Sequence, residues 1–258
     1  MKALTKKDYK KVKDVPLMKI IRTENYEEMS YMAAVEAAKC IKGNPELVLG
    51  LSTGGTPLGT YKNLIQLYEE GKVDFSNVTT FNLDEYIGLE PEHFQSYTYY
   101  TWENFLKYVN IKAEQVHIPL GIFENEDQAV KEYNEKLIKA NGIDVQILGV
   151  GRNGHIGFNE PQDYLHGATH IAKLTKETIR DNARFFSNIE DVPKKAIAMG
   201  VGDILKARHI IFIASGHEKA EAVYQTLHGH ITTRCPSSLL QLHPNVTVIV
   251  DKEAAALL

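Results

Sequence analysis

The stretch Val145–Pro161, VQILGVGRNGHIGFNEP, decides the fold. Its first six residues, Val145–Val150, form an almost unbroken apolar run of strand length. A run without polar alternation marks a strand buried on both faces. Glycines end it abruptly, and polar residues follow. Working outward, Ile210–Ala214 (IIFIA) repeats the apolar signature. Shorter runs of the same kind occur at Met18–Arg22, Leu47–Leu51, Val78–Leu83, His170–Leu174, Ala196–Met199 and Val246–Val250. Helical patterns separate them. Met29, Ala33, Ala37 and Cys40 share one helical face, and Gly43 and Pro45 stop that helix. Pro57–Glu70, Ser96–Tyr108, Asp127–Ala140 and Glu218–His228 read as further helices. Strands alternating with helices predict an α/β protein, a doubly wound, mostly parallel sheet with helices on both faces.

The chain has 258 residues, within reach of a single α/β domain. Hydrophobic residues at 43% and charged residues at 24% exclude disorder as the overall state. Two cysteines, Cys40 and Cys235, exclude a disulfide scaffold. No run approaches a membrane span, so no membrane partner is expected. Residues 1–17 hold six Lys and two Asp, a net +4, which leaves −8 on the other 241 residues of a chain whose total is −4. That acidic remainder argues against a nucleic-acid partner. The basic start lacks the apolar stretch of a secretory signal. It reads as an extension or leader before one domain over 18–258, and the protein as cytoplasmic.

In such sheets ligands sit beyond the carboxyl ends of the strands. Three loops answer to that rule. Leu49–Tyr61 (LGLSTGGTPLGTY) brings Ser52, Thr53, Gly54 and Gly55 to the start of a helix. Free N–H groups and a partial positive charge there suit a phosphate. The loop has neither GxxxxGK[ST] nor GxGxxG, which excludes the usual nucleotide and dinucleotide cradles. Phe81–Leu89 (FNLDEYIGL) sends Asp84 and Glu85 off a strand end. Adjacent residues there point to opposite sides, so one can be a general base while the other binds structure; capping or a surface turn would use either. Leu148–Pro161 places His155 and Glu160 beside Asn153 and Asn159, among Gly149, Gly151, Gly154 and Gly157. A His held by an acid suits proton transfer. A metal pair is disfavoured, since no third ligand lies nearby and the spacing is not HExxH. Arg184 and Lys219 offer a fork and a point charge for phosphate, though singly each reads as a solvated charge.

LSTGGTP, FNLDEYIGL, GxNGHIGFNEP, ARFF and CPSSLLQLHPNV, in this order from about Met18 to the end, resemble the glucosamine-6-phosphate deaminase (isomerase) family. The resemblance implies a Rossmann-like fold with a lid, here expected between Pro161 and Arg184. It implies conversion of glucosamine 6-phosphate and water to fructose 6-phosphate and ammonia, without metal or organic cofactor. It implies Asp84 as the base that moves the C2 proton to C1, His155 as the group that opens the ring, and Glu160 as its orienting acid. Asn153 stands where many members have Asp; it can bond and orient but adds no charge. Ser52, Thr53, Gly54, Gly55, Arg184 and Lys219 match the family's phosphate ligands.

Three rivals follow. A 6-phosphogluconolactonase-like hydrolase shares the fold but moves no C2 proton, and the DEY and GHIGFNEP segments favour the deaminase. A deaminase of the C4 epimer, galactosamine 6-phosphate, stays open. A sugar-phosphate-sensing module of a regulator would carry a preceding helix-turn-helix, for which residues 1–17 are too short. Hexameric members are activated by N-acetylglucosamine 6-phosphate, through hydroxyl and basic residues after the NEP segment and a longer C-terminal tail. Asp163, Tyr164, His170 and Ala172 stand at those positions here, and the chain stops at EAAALL. Simple kinetics without that activation, and a monomer or small homo-oligomer, are expected.

Overall fold

The computed structural model describes residues 18–258; the basic leader expected over 1–17 lies outside the described residues. The strands are β1 (Met18–Thr23), β2 (Val48–Leu51), β3 (Thr79–Asn82), β4 (Asp84–Tyr86), β5 (Val116–His117), β6 (Val145–Leu148), β7 (His170–Lys173), β8 (Lys195–Ala198), β9 (His209–Ala214) and β10 (Val246–Asp251). The helices are α1 (Tyr26–Gly43), α2 (Leu58–Glu69), α3 (Tyr97–Asn104), α4 (Glu126–Lys139), α5 (Lys176–Asn182), α6 (Val201–Leu205) and α7 (Ala220–His228). Seven strands form a parallel sheet in the order β1-β10-β9-β6-β2-β3-β5.

The alternation of the pleat divides the apolar strands between two cores. Ile210, Phe212, Val246, Val248 and Val250 face one core, together with Tyr133 and Leu137 of α4 and Val223 of α7. Ile211, Ile213, Ile249, Leu49 and Leu51 face the other, together with Met29, Ala33 and Ala37 of α1 and Tyr61 and Leu64 of α2. Each large side chain so buried contributes about 1.5–3 kcal/mol over leaving it in water. Helix starts are set locally: Asn25 and Asn125 accept the backbone N–H groups of Glu28 and Gln128 at the first turns of α1 and α4.

Two strands expected from apolar runs, His170–Leu174 and Ala196–Met199, form outside the parallel sheet. As β7 and β8 they join β4 in an antiparallel sheet of order β4-β8-β7. Ala172, Ala196 and Ala198 turn to Tyr86 and Phe158 in a third, smaller core. The polar segment expected as a lid therefore contains β7 and α5, and Ile179 of α5 packs on that small core. The helix expected over Ser96–Tyr108 ends at Asn104, because Phe105 leaves helical backbone to stack on Tyr61 and meet Phe75 edge-on. The short edge strand β5 and helix α6 carry too few apolar residues for a periodic signal.

Among the described residues, no helix is long and apolar enough to cross a membrane.

Candidate active site

Strands β2 and β6 are neighbours, and the chain winds outward from them in opposite directions, through β3 and β5 on one side and β9 and β10 on the other. Such a reversal opens a crevice at the carboxyl ends of the two strands. A cleft of about 670 Å³ lies there, lined from the main sheet by Ser52–Pro57, Leu83, Asp84, Gly149–Arg152, His155 and Lys219.

Loop 52–57 is fixed from behind. The Tyr61 hydroxyl donates to the Ser52 carbonyl at 2.5 Å and accepts the Ser52 N–H at 3.1 Å. Tyr100 donates to the Gly54 carbonyl at 2.7 Å, and Tyr26 donates to the Gly55 carbonyl at 3.1 Å. Gly54 has φ 98°, a conformation that a side chain would strain. Among the described residues, the N–H groups of Thr53, Gly54 and Gly55 have no protein acceptor. With the uncapped start of α2 they form a site for an anion.

Asp84 and Glu85 part company at the start of β4. Glu85 accepts from the N–H groups of Tyr97 (2.7 Å), Thr98 (2.8 Å) and Tyr86 (2.9 Å) and from the Thr98 hydroxyl (2.9 Å), and so caps α3. Asp84 turns to the cleft, only 5% exposed. Burial, and then the charge of Glu85, push its pKa up to about 8, against a bond from the Phe158 N–H. Burial also raises Glu85, but its four donors oppose this, so the first proton of the pair belongs on Asp84. Gly157 lets the backbone approach here: a Cβ on it would lie 3.2 Å from Asp84 Oδ2.

The loop after β6 folds back under His155. The Gly151 N–H donates to the His155 carbonyl, and the His155 N–H donates to Asn153 Oδ1 at 3.1 Å. A Cβ on Gly151 would lie within 2.5 Å of the imidazole, so only glycine lets the ring rest there. Glu160 Oε2 lies 3.5 Å from His155 Nδ1, an ion-pair contact longer than a hydrogen bond, and accepts Asn153 Nδ2 at 3.1 Å. Burial raises the Glu160 pKa, but His155, Thr178 and Asn153 outweigh it and hold the carboxyl below its usual range. Glu160 and Asn153 do not line the cleft; they stand behind His155, which does.

Lys219 follows β9 in a turn held by Asp251, which accepts the Ser215 hydroxyl and the Gly216 N–H. Burial lowers its pKa, and Arg152 and Arg184 lower it further against Glu218 and Asp181. Arg184 lines the same cleft with α5, whose Thr178, Arg180 and Asp181 also border it. Of the expected site residues, Ser52, Thr53, Gly54, Gly55, Asp84, His155, Arg184 and Lys219 line one cleft, and Asn153 and Glu160 stand behind His155. Sequence reasoning missed Tyr61, Tyr100, Arg152, Asp181 and Asp251. Arg152 alone had a usable signal, its place inside the glycine loop. Among the described residues, no three His, Cys, Asp or Glu side chains are grouped to hold a metal ion.

Residues 23–249 match the family model described as glucosamine-6-phosphate isomerases/6-phosphogluconolactonase. The glucosamine-6-phosphate deaminase of Thermoanaerobacter pseudethanolicus is 56% identical over 93% of this chain and 95% of its own. That of Clostridium perfringens is 52% identical over 93% of this chain and 100% of its own. Among solved structures, a monomeric glucosamine-6-phosphate deaminase superposes with a TM-score of 0.91 at 43% identity, covering 93% of this chain and 100% of its own. The 6-phosphogluconolactonase of Trypanosoma brucei shares the fold at 18% identity, with a TM-score of 0.71. The chain belongs to the glucosamine-6-phosphate isomerase/6-phosphogluconolactonase family.

Proposed function

We propose that the chain deaminates glucosamine 6-phosphate, giving fructose 6-phosphate and ammonia. The observation that carries this reading is Asp84, a buried carboxyl near neutrality that faces the same cleft as His155 and the anion-binding loop. Such a group can take and return a carbon-bound proton, whereas a lactone hydrolase moves none.

The phosphate rests on Ser52, Thr53, Gly54 and Gly55, with Arg184 and Lys219 supplying charge. His155, oriented by Glu160 and Asn153, takes the O1 proton of the cyclic sugar and delivers a proton to O5, which opens the ring. Asp84 then removes the C2 proton and returns it to C1, which leaves an imine at C2. Water adds to that carbon and ammonia departs. The substrate's ammonium, brought beside Asp84, favours the ionised form that the step needs. The reaction calls for no metal and no organic cofactor.

The chain acts in the cytoplasm as a monomer or small homo-oligomer; the relative with 43% identity is described as monomeric. Activation by N-acetylglucosamine 6-phosphate is absent. Asp163 pairs with Arg234, His170 stacks on His166, and Ala172 is buried in the small core, so these positions offer a phosphate little. Velocity curves should be hyperbolic with and without that compound.

The deciding experiment gives purified protein glucosamine 6-phosphate and, in parallel, 6-phosphogluconolactone, with a chelator present. Ammonia and fructose 6-phosphate in equal amounts are expected. Lactone hydrolysis without ammonia release would overturn the reading.

A further inference from the structure

Four charged residues, Arg152, Arg180, Asp181 and Glu218, line the cleft without a part in the reaction above, and two of them pair with each other. Arg152 lies in the loop after β6, three residues before His155, and Asp181 lies in the last turn of α5, three residues before Arg184. Their side chains meet, Nη1 to Oδ1, at 3.4 Å. The pair is 51% and 35% exposed, a setting in which an ion pair adds little to stability. Its position matters more. Lys219, Arg184 and Arg152 come from three separate segments to line one cleft, where the charge of each arginine lowers the lysine's pKa. Of the carboxylates lining the same cleft, Asp181 is the one paired with Arg152.

We propose that Arg152 is a third cationic ligand of the substrate's phosphate, and that Asp181 competes with the phosphate for it. A guanidinium fork accepts a phosphate and a carboxylate in the same geometry, so the two anions exchange on one residue. A phosphate monoester carries nearly two negative charges at neutral pH and is repelled by Asp181 until it has taken Arg152. Asp181 thereby lowers the affinity for every phosphate-bearing ligand. Product carries the same phosphate as substrate, so a carboxylate that reclaims Arg152 hastens release. The exchange also loosens the tie between α5, which carries Thr178 and Asp181, and the loop that carries His155.

The proposal takes its substrate from the deaminase reading, but its test does not. Inorganic phosphate and fructose 6-phosphate are titrated calorimetrically into the wild type, Asp181→Asn, Arg152→Gln and the double variant, with melting curves confirming that each is folded. Asp181→Asn should bind both ligands roughly three- to tenfold more tightly, as loss of one partly screened like charge implies. Arg152→Gln should bind them roughly tenfold more weakly, with Arg152→Lys recovering part of the loss. In the Arg152→Gln background the gain from Asp181→Asn should shrink to less than half. Glucosamine without its phosphate should show none of these changes. Weaker or unchanged phosphate binding by Asp181→Asn would overturn the proposal and leave the pair a structural tie. Ammonia release by the wild type, assayed separately, tells that failure from failure of the deaminase reading.

Discussion

Loop 52–57 and helix α5 both line the cleft and are held by different means. The loop is bound from behind by the hydroxyls of Tyr61, Tyr100 and Tyr26, and Tyr61 is fully buried. Helix α5 rests on the small core through Ile179 and reaches the His155 loop through the half-exposed Arg152–Asp181 pair. Buried hydrogen bonds to backbone are costly to break, while exposed ion pairs exchange readily with solvent and ions. The comparison teaches that one wall is preorganised for an anion and the other can answer to it. Asp84 and Glu85 belong with the first wall, since both are buried and Glu85 is fully bonded.

The sharpest way to break the comparison is Asp84→Asn. Turnover should fall by roughly 10²–10⁴-fold, the usual size of general base catalysis, with fructose 6-phosphate affinity within a few-fold of wild type by calorimetry. Turnover near wild type would remove Asp84 from its role. Next in size, Lys219→Ala should raise the Michaelis constant for glucosamine 6-phosphate by roughly 10–100-fold, as loss of one charged hydrogen bond of about 1.5–3 kcal/mol implies. An unchanged constant would mean that the phosphate is held elsewhere. Tyr61→Phe tests the rigid wall itself. It strips the Ser52 N–H and carbonyl of their partner and should cost about 1–3 kcal/mol in chemical denaturation, with weaker phosphate binding. Equal stability would show that the hydroxyl does not hold the loop.

The last test concerns pH. Asp84 keeps its proton in the folded chain up to about pH 8, whereas the unfolded chain loses it near 3.8. Between those values the folded state binds the extra proton, so this group's contribution to stability falls as pH rises, by up to about 1.4 kcal/mol per pH unit. Asp84→Asn should flatten the decline in melting temperature between pH 5 and pH 8. A parallel decline in both proteins would show that the carboxyl is not buried neutral.

Much of the site was legible because its residues follow strands directly. Ser52 follows β2, Asp84 comes two residues after the end of β3, and the Gly149–Glu160 segment follows β6, so knowing the strands located the loops that line the cleft. The strands were legible because burial on both faces leaves continuous apolar runs. Tyr61, Tyr100 and Asp251 were not legible. Tyr100 and Asp251 act on loops 46 and 36 residues away, and for Tyr61, nine residues from Ser52, nothing local separates a tyrosine that packs from one that also holds a backbone carbonyl. The separate antiparallel sheet escaped notice for a related reason: its strands are three or four residues long, and such runs do not say which partner they pair with.

Sequence by itself determined the α/β class, the three loops that line the cleft and the glycines that permit them, because side-chain period and backbone freedom are local properties. Tertiary structure alone decided that Asp84 faces the cleft while Glu85 caps α3, that Glu160 and Asn153 stand behind His155, and that Asp181 pairs with Arg152 at the cleft. Those outcomes depend on which segments pack together, and burial, pairing and electric field are set by neighbours that the chain brings in from far away.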